Sequence, residues 1–356
     1  MRIKDKLLLT PKNFVPSFRT WKIDGVLNPA AVRMRNKKIL LYVRVAESHA
    51  DQNGFIRSPV IVSKEEYKTT TQKVRRKDVI ERDDVYIFKD GTCRLPNISH
   101  FRKVILGKDG FKVERIGKTP HFVGHPDESE FGVEDPRIVK LGNMYYMAYV
   151  GASADEGISV YVAESKNLIR WKRIGMMFME QNKDATLFPE KIKGKFVALH
   201  RPESAISFRR PGIWISYSKD LVYWGKNKSI LQPRENSWEE VRMGAGAPPI
   251  RTSKGWLLIY HGVKKKKRGN VYSAGAALLD LENPQKLIAR SPKNKPLIRP
   301  TKSYEKKGYI NNVVFPTGAV PTLDKESLLI YSGGADKNIS VREMNISDIL
   351  KHMRVR

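Results

Sequence analysis

The chain has 356 residues, 40% of them hydrophobic, and its 66 Lys and Arg against 37 Asp and Glu give a formal net charge of +29. No apolar run approaches the ~20 residues that a membrane-spanning helix needs, so a helical membrane protein is excluded. The single cysteine, Cys93, excludes an intrachain disulfide and predicts a reducing, cytoplasmic location.

The first predicted element is a hairpin that follows an N-terminal segment. Residues 1–27 lack a long apolar core and a small-residue cleavage site, so we interpret them as a leading segment with part of a repeat, not as a signal peptide. A hairpin then runs from Asn28 to Arg44. The polar stretch Glu47–Gly54 predicts a long loop at the same end as Arg44, and such loops often cover a functional site.

The hairpin over residues 132–151 is where we expect a general acid. Pro136 fixes its own φ and favours an extended conformation at Asp135, and Gly142–Asn143 supplies the turn. Because side chains alternate in an extended chain, we expect Glu134 and Asp135 to point to opposite faces, one of them toward a cavity. The alternative is that Asp135 only opens the strand and pairs with Arg137.

The pattern of this hairpin recurs along the chain. Each unit has a polar or Pro/Ala start, a short strand, a turn, and an apolar strand that ends on polar residues or glycine. The five units cover residues 28–44, 135–151, 184–201, 247–261 and 316–333. Repeated β-units of this kind predict an all-β fold, a five-bladed β-propeller, in a single domain over residues 1–356. Five ordinary hairpins in a sandwich would give the same pattern.

The remaining segments give weaker signals. The basic runs Lys73–Lys77 and Lys264–Arg268 are interpreted as solvated loop tips. The net charge draws anions, but no zinc-finger spacing, RNA-binding motif or basic amphipathic helix accompanies it, so specific nucleic-acid binding is not favoured. Residues 345–356 are expected to form a short tail or a helix that begins at Ser347 or Asp348.

Several ordered motifs carry a family resemblance that covers nearly the whole chain, from about Asn28 to Asp336. They are Glu134–Arg137, Asn182–Lys191, Gly244–Pro249, Tyr260–Val263 and Gly333–Asp336. Together they resemble glycoside hydrolase family 130, which comprises β-mannoside phosphorylases and a few β-mannosidases. The resemblance implies a five-bladed propeller and inverting phosphorolysis of a non-reducing β-mannosyl unit to α-mannose 1-phosphate. It implies no cofactor and no metal, with inorganic phosphate as co-substrate.

The resemblance also implies roles for eight residues. Asp135 corresponds to the general acid. The phosphate-binding set corresponds to Lys183, Arg201, His261 and Tyr272, and the mannosyl-binding set to Asn28, Arg44 and Asp336. Several of them have a structural alternative: Lys183 could be a solvated surface residue, Arg201 could pair with Glu203, His261 could be a satisfied core histidine, and Asp336 could be a turn residue.

Other functions stay open at this point. A β-1,2-mannobiose or β-1,2-oligomannan phosphorylase is favoured, and a β-1,4-mannosyl phosphorylase with mannose, glucose or N-acetylglucosamine as acceptor is the first alternative. A β-mannosidase of the same fold would lack the basic phosphate set. A non-catalytic propeller would bind acidic glycans or nucleic acid through its charge. The expected partners are a β-mannoside oligosaccharide and phosphate, with no membrane, and a homo-oligomer is compatible with the sequence.

Overall fold

The computed structural model describes residues 3–50, 54–81, 85–204, 206, 208–267 and 269–354. These residues form an all-β structure, as the repeated hairpins predict, with short helical segments only between strands and at the end. The first elements are β1 (Ile3–Leu9), β2 (Trp21–Arg33), β3 (Ile39–His49), β4 (Phe55–Ile61), β5 (Thr69–Arg75), β6 (Val79–Glu81), β7 (Tyr86–Phe88), β8 (Cys93–Arg94), β9 (Ile98–Leu106) and β10 (Val113–Ile116), with 3₁₀ turns at Pro11–Asn13 and Arg76–Asp78.

The later elements follow with short connections. They are β11 (Val133–Leu141), β12 (Met144–Ala152), β13 (Ile158–Ser165), β14 (Lys172–Phe178), β15 (Asn182–Leu187), β16 (Phe196–Pro202), β17 (Ile213–Ser218), β18 (Trp224–Leu231), β19 (Arg242–Ala245), β20 (Ile250–Thr252), β21 (Gly255–Lys266), β22 (Gly269–Leu279), β23 (Leu287–Arg290), α1 (Ser303–Lys306), β24 (Val314–Pro321), β25 (Ser327–Gly334), β26 (Asn338–Asn345) and α2 (Ile346–His352).

The strands form five principal antiparallel sheets that succeed one another along the chain. Sheet 1 is β2-β3-β9-β10, sheet 2 is β11-β12-β13-β14, sheet 3 is β15-β16-β17-β18, and sheet 4 is β19-β21-β22-β23 with β20 beside β21. Sheet 5 is β24-β25-β26-β1. Four of the predicted repeats therefore fall on the first two strands of a sheet, and the repeat 247–261 falls on β20 and β21, after the first strand β19. Two small sheets, β4-β5 and β6-β7-β8, are inserted between β3 and β9.

The N-terminal third supplies strands to two sheets, in keeping with the partial repeat expected in residues 1–27, and differs from expectation at Glu47–His49. Strand β1 pairs antiparallel with β26, from Ile3 opposite Met344 to Leu9 opposite Ile339, so the chain's first strand completes its last sheet. Strand β2 begins at Trp21, inside the expected leading segment 1–27. Strand β3 continues to His49, so Glu47–His49 are strand and not loop; residues 51–53 of the expected loop lie outside the described residues.

The apolar residues are buried between neighbouring sheets, not inside one central layer. One core cluster joins sheets 1 and 2, a second joins sheets 2 and 3, a third joins sheets 3 and 4, and a fourth joins sheets 4 and 5. A fifth cluster joins sheet 5 back to sheet 1, where Leu329 and Val341 pack with Leu41 and Val43. The packing order of the sheets is therefore cyclic, and a two-layer sandwich would not produce it.

Part of each basic run differs from expectation, whereas the expected C-terminal helix forms and only begins slightly earlier than predicted. Lys264–Lys266 belong to β21 and Lys73–Arg75 belong to β5, so these basic residues extend hairpins and do not form loop tips. Helix α2 begins at Ile346, and the Asn345 side chain caps it by accepting from the Ser347 amide. Within the described part of the chain, no helix combines the length and apolar character that crossing a membrane requires.

Candidate active site

The first strands of several sheets meet at one cavity of about 360 Å³. Its wall contains all eight residues that the family resemblance selects: Asn28, Arg44, Asp135, Lys183, Arg201, His261, Tyr272 and Asp336. Positions as far apart as 28 and 336 in the chain therefore meet in one place. The structure brings these residues together.

A left-handed backbone conformation recurs at three positions of the cavity wall. Two of them, Asn28 and Asp135, are among the eight residues, and the third, Asp184, follows Lys183. Asn28, Asp135 and Asp184 have φ values of 46°, 51° and 55°. The pairing register with the next strand also shifts at each position. The shifts lie between Leu27 and Ala30 in β2, between Glu134 and Arg137 in β11, and between Lys183 and Thr186 in β15. Asn and Asp tolerate the left-handed conformation better than other non-glycine residues. Each bulge turns a short polar side chain out of the sheet.

The expected geometry around Asp135 was therefore wrong in one respect. Asp135 is left-handed and not extended, so strict alternation of side chains fails at the bulge. As a result, Glu134 and Asp135 do not point to opposite faces, and both contact one guanidinium. Arg44 Nη2 lies 2.6 Å from Glu134 Oε1, and Arg44 Nη1 lies 3.1 Å from Asp135 Oδ1. The hydrogen bond from Asn28 Nδ2 to Asp135 Oδ1, at 2.8 Å, completes this carboxylate half of the cavity.

Asp336 faces the same half. Its backbone is left-handed, with φ of 48°, and it follows the end of β25. Burial raises the pKa of the Asp336 carboxyl to about 7, opposed by the Arg44 charge and reinforced by Asp135 and Glu134. The folded protein therefore holds this carboxyl protonated over a pH range in which an unfolded chain would ionise it.

Replacing Asp336 by Asn is expected to stabilise the fold at pH 8 relative to wild type. The folded pKa of about 7 lies above an unfolded value of about 3.9, so the wild type loses stability as pH rises between these values. Asn lacks this cost, which is of the order of 2–4 kcal/mol at pH 8. Chemical denaturation at pH 8 and pH 4.5 measures the difference. An equal or smaller gain at pH 8 than at pH 4.5 would contradict the assigned burial effect.

The opposite half of the cavity is cationic. Arg201 Nε donates to Asp184 Oδ2 at 2.6 Å, and the Arg201 guanidinium also contacts Glu203. The ammonium-bearing Lys183 is partly exposed to the cavity. Arg242 Nη2 donates to the Tyr272 hydroxyl at 2.5 Å. Three cationic side chains thus face one space, an arrangement suited to an oxyanion.

His261 contributes to this cationic half without carrying a charge. Burial is the largest cause that lowers its pKa to about 3, and the charges of Arg201, Arg137 and Arg242 add to it against the opposing effect of Asp184. Within the described chain neither ring nitrogen of His261 has a hydrogen-bond partner. The side chain is 1% exposed, so two unpaired polar atoms are buried at the cavity wall. A bound ligand is the simplest partner for them, and His261 is not the satisfied core histidine considered from sequence.

The two halves are joined by residues that the sequence reasoning did not select. Arg137 Nη1 donates to the Asp135 carbonyl at 2.7 Å, and Arg137 Nη2 lies 3.4 Å from Asp184 Oδ1. Arg137 therefore hydrogen-bonds the backbone of Asp135, whereas the Asp135 carboxylate oxygen Oδ2 lies farther away, 3.8 Å from Arg137 Nη1. The pKa of Asp184 is held well below its usual range, because Arg201, His261 and Arg137 together outweigh the effect of burial. Arg242, at the start of β19, was also not selected from the sequence, because it lies outside the predicted repeats.

The arrangement defines a class of protein: an all-β chain with a polar cavity, in which carboxylates and cations line the same space. The family described as beta-1,4-mannooligosaccharide phosphorylase, glycoside hydrolase family 130, matches residues 104–355. The chain belongs to this family. Among the described residues no group of three or more His, Cys, Asp or Glu side chains is placed to hold a metal ion.

Individual relatives agree with this assignment. A 1,2-beta-oligomannan phosphorylase of Thermoanaerobacter sp. (strain X514) is 45% identical over 246 residues, 68% of this chain and 78% of that protein. A beta-1,2-mannobiose phosphorylase of Listeria innocua is 31% identical over 365 residues, 99% of this chain and 98% of that protein. The structure of the Listeria innocua enzyme in complex with beta-1,2-mannobiose superposes with a TM-score of 0.90 at 30% identity, covering 100% of both chains.

Proposed function

We propose that this chain is an inverting β-mannoside phosphorylase that cleaves β-1,2-mannosyl linkages with inorganic phosphate. The observation that carries the proposal is the division of one cavity into a carboxylate half and a cationic half. Asp135, Arg44 and Asn28 form the first, and Lys183 and Arg201 belong to the second. An inverting reaction needs an acid at the leaving oxygen and a nucleophile on the opposite face of the sugar.

The five sheets are inferred to be the blades of a five-bladed β-propeller in one domain. The cyclic order of the five core clusters and the pairing of β1 with β26 support this fold, because a closed ring needs its last blade joined to its first. A funnel at the centre of such a ring is where the first strands of the blades meet. The cavity lined by Asn28, Asp135 and Lys183, which all lie on first strands of sheets, fits that position.

In the proposed reaction Asp135 supplies the proton that the leaving oxygen gains, either directly or through a sugar hydroxyl. Arg44, Asn28 and Asp336 hold the mannosyl unit, since carboxylate, amide and guanidinium groups pair with its hydroxyls. Phosphate is already an anionic nucleophile, so no second carboxylate is needed to activate water. Phosphate is proposed to bind at a set of cations and neutral donors: Lys183, Arg201, Arg242, Tyr272 and His261.

The β-1,2 linkage is proposed on the relatives and not on the cavity. Both relatives described above are named for β-1,2-mannosides, and the match to one of them covers 99% of the chain. The family description instead names β-1,4-mannooligosaccharides, so β-1,4 cleavage is the alternative to test. A cytoplasmic location, suggested by the one cysteine, and a homo-oligomeric state stay predictions.

The test is phosphorolysis of two disaccharides that differ only in linkage. With inorganic phosphate present, β-1,2-mannobiose is expected to give α-mannose 1-phosphate and mannose, and β-1,4-mannobiose is expected to react far more slowly. Nuclear magnetic resonance identifies the anomer, and omission of phosphate should stop the reaction. Mannose release without phosphate would identify a β-mannosidase, and a preference for the β-1,4 substrate would reassign the linkage.

A further inference from the structure

One buried carboxylate, Asp184, contacts residues that serve both halves of the cavity. Its Oδ1 lies 3.4 Å from Arg137 Nη2, and its Oδ2 accepts a hydrogen bond from Arg201 Nε at 2.6 Å. The same Oδ2 lies 3.6 Å from His261 Nε2. Asp184 is 2% exposed, so these three basic side chains are its surroundings and not bulk water.

Arg137 extends this set of contacts to the proposed acid. The Arg137 side chain is 1% exposed, and its Nη1 donates to the Asp135 carbonyl at 2.7 Å. Its Nε also donates to the Gly246 carbonyl at 3.3 Å. The guanidinium therefore holds the strand bulge that aims Asp135. A planar, rigid group with several donors can fix such a bulge more tightly than a flexible ammonium can.

The packing leaves Asp184 little freedom to move. Its backbone is left-handed at a register shift in β15. Gly244 closes over its carboxylate, and a Cβ at position 244 would collide with Asp184 Oδ2 and lie 2.6 Å from His261 Cε1. A carboxylate confined in this way can orient its partners, as supporting residues do around other binding sites.

We propose that Asp184 is a positioning residue that couples the phosphate site to the acid. It orients Arg201 and His261 toward phosphate and, through Arg137, fixes the backbone that carries Asp135. The inference rests on the proposed phosphorolysis, because its readout is the turnover of that reaction. Asp184 itself is not assigned a contact with either substrate.

A simpler account treats Asp184 only as a counter-charge. Glu203 provides the comparison, since it contacts the same Arg201 guanidinium and is also largely buried, with a side chain 20% exposed. A carboxylate that only neutralises Arg201 opposes phosphate binding, and its removal should tighten phosphate. On that account the isosteric changes Asp184→Asn and Glu203→Gln both lower KM for phosphate and leave kcat unchanged. If Asp184 positions catalytic groups, only Asp184→Asn lowers kcat.

The experiment compares Asp184→Asn, Glu203→Gln and wild type in phosphorolysis of β-1,2-mannobiose. We expect Asp184→Asn to lower kcat by ~100-fold, the scale of loss that a displacement of about 1 Å produces. Glu203→Gln is expected to lower KM for phosphate severalfold while kcat stays within about twofold of wild type. A lower KM with wild-type kcat in both variants would overturn the proposal.

Two controls separate the possible failures. Thermal unfolding reports whether Asp184→Asn is folded, and if it is not, Arg137→Lys tests the same link with the charge kept. Arg137→Lys is expected to lower kcat with little change in KM for phosphate; an unchanged kcat would overturn the coupling. Wild-type protein without phosphorolytic activity would refute the proposed function itself, whereas active wild type with a fully active Asp184→Asn variant would refute only the positioning role.

Discussion

Replacing Asp135 by Asn is expected to lower kcat for phosphorolysis by ~10²–10⁴-fold, the range that general acids contribute. Asn has nearly the same shape as Asp, so the contacts with Asn28 and Arg44 that hold the side chain need only rearrange locally. It cannot supply the proton that the leaving oxygen gains. Steady-state turnover of β-1,2-mannobiose at saturating phosphate measures the loss, and the melting temperature reports whether the fold is kept.

Glu134→Gln is the matched control for this prediction. Both carboxylates contact the Arg44 guanidinium, Glu134 at 2.6 Å and Asp135 at 3.1 Å. Each variant therefore removes one carboxylate charge from the same guanidinium. If the acid is Asp135, the control loses much less activity. A larger loss in Glu134→Gln, or full turnover in Asp135→Asn, would assign the proton to the neighbouring residue.

The sheets were predictable because each repeat contains its own hairpin. Residues 132–151, for example, contain a short strand, a turn at Gly142–Asn143 and an apolar strand, and the structure has β11 and β12 on either side of that turn. The pairing of β1 with β26 was not predictable in the same way. Ile3 and Met344 are partners across almost the whole chain, and no local pattern in Ile3–Leu9 specifies a strand so distant.

The conformation of Asp135 was missed because two local rules compete there. The residue before a proline tends to be extended, and that rule gave the expectation. The structure instead places a left-handed bulge at Asp135, and matching bulges occur at Asn28 and Asp184. The common feature in the sequence is a short Asn or Asp near the start of a repeat, a residue type that tolerates positive φ. That recurrence was a usable signal for the bulges.

The candidate site was predicted as a set of residues but not as a network. Motif resemblance selected the eight residues that line the cavity, whereas the contacts of Arg137 and Asp184 cross from one sheet to the next. The neutral state of His261 was also out of reach, because its lowered pKa comes mainly from burial. Burial and cross-sheet contacts are tertiary properties that one sequence does not display locally.

Replacing Arg201 by Gln is expected to destabilise the fold at pH 7.5 by up to ~3–5 kcal/mol, the usual cost of removing one partner of a buried ion pair; Arg137, 3.4 Å from Asp184, compensates part of it. Asp184 would lose its 2.6 Å hydrogen bond from Arg201 Nε while staying buried, and Glu203 would lose its contact with the guanidinium. The KM for phosphate should rise, since one of the proposed cations is gone. Urea denaturation measures the first effect, and Arg201→Lys, which keeps the charge, should lose less stability.

The pH dependence distinguishes this explanation from a general packing defect. In wild type the folded pKa of Asp184 lies well below its unfolded value, so this group's contribution is present above about pH 4 and is lost as pH falls through the folded pKa. Without Arg201, burial becomes a larger influence and raises the folded pKa of Asp184. We expect this rise to bring the pKa into the range between pH 5 and pH 7.5, so Arg201→Gln gains stability from Asp184 as pH falls across that range. The difference in unfolding free energy from wild type then narrows. A difference that is the same at pH 5 and pH 7.5 would assign the loss to packing and not to the Asp184 carboxylate.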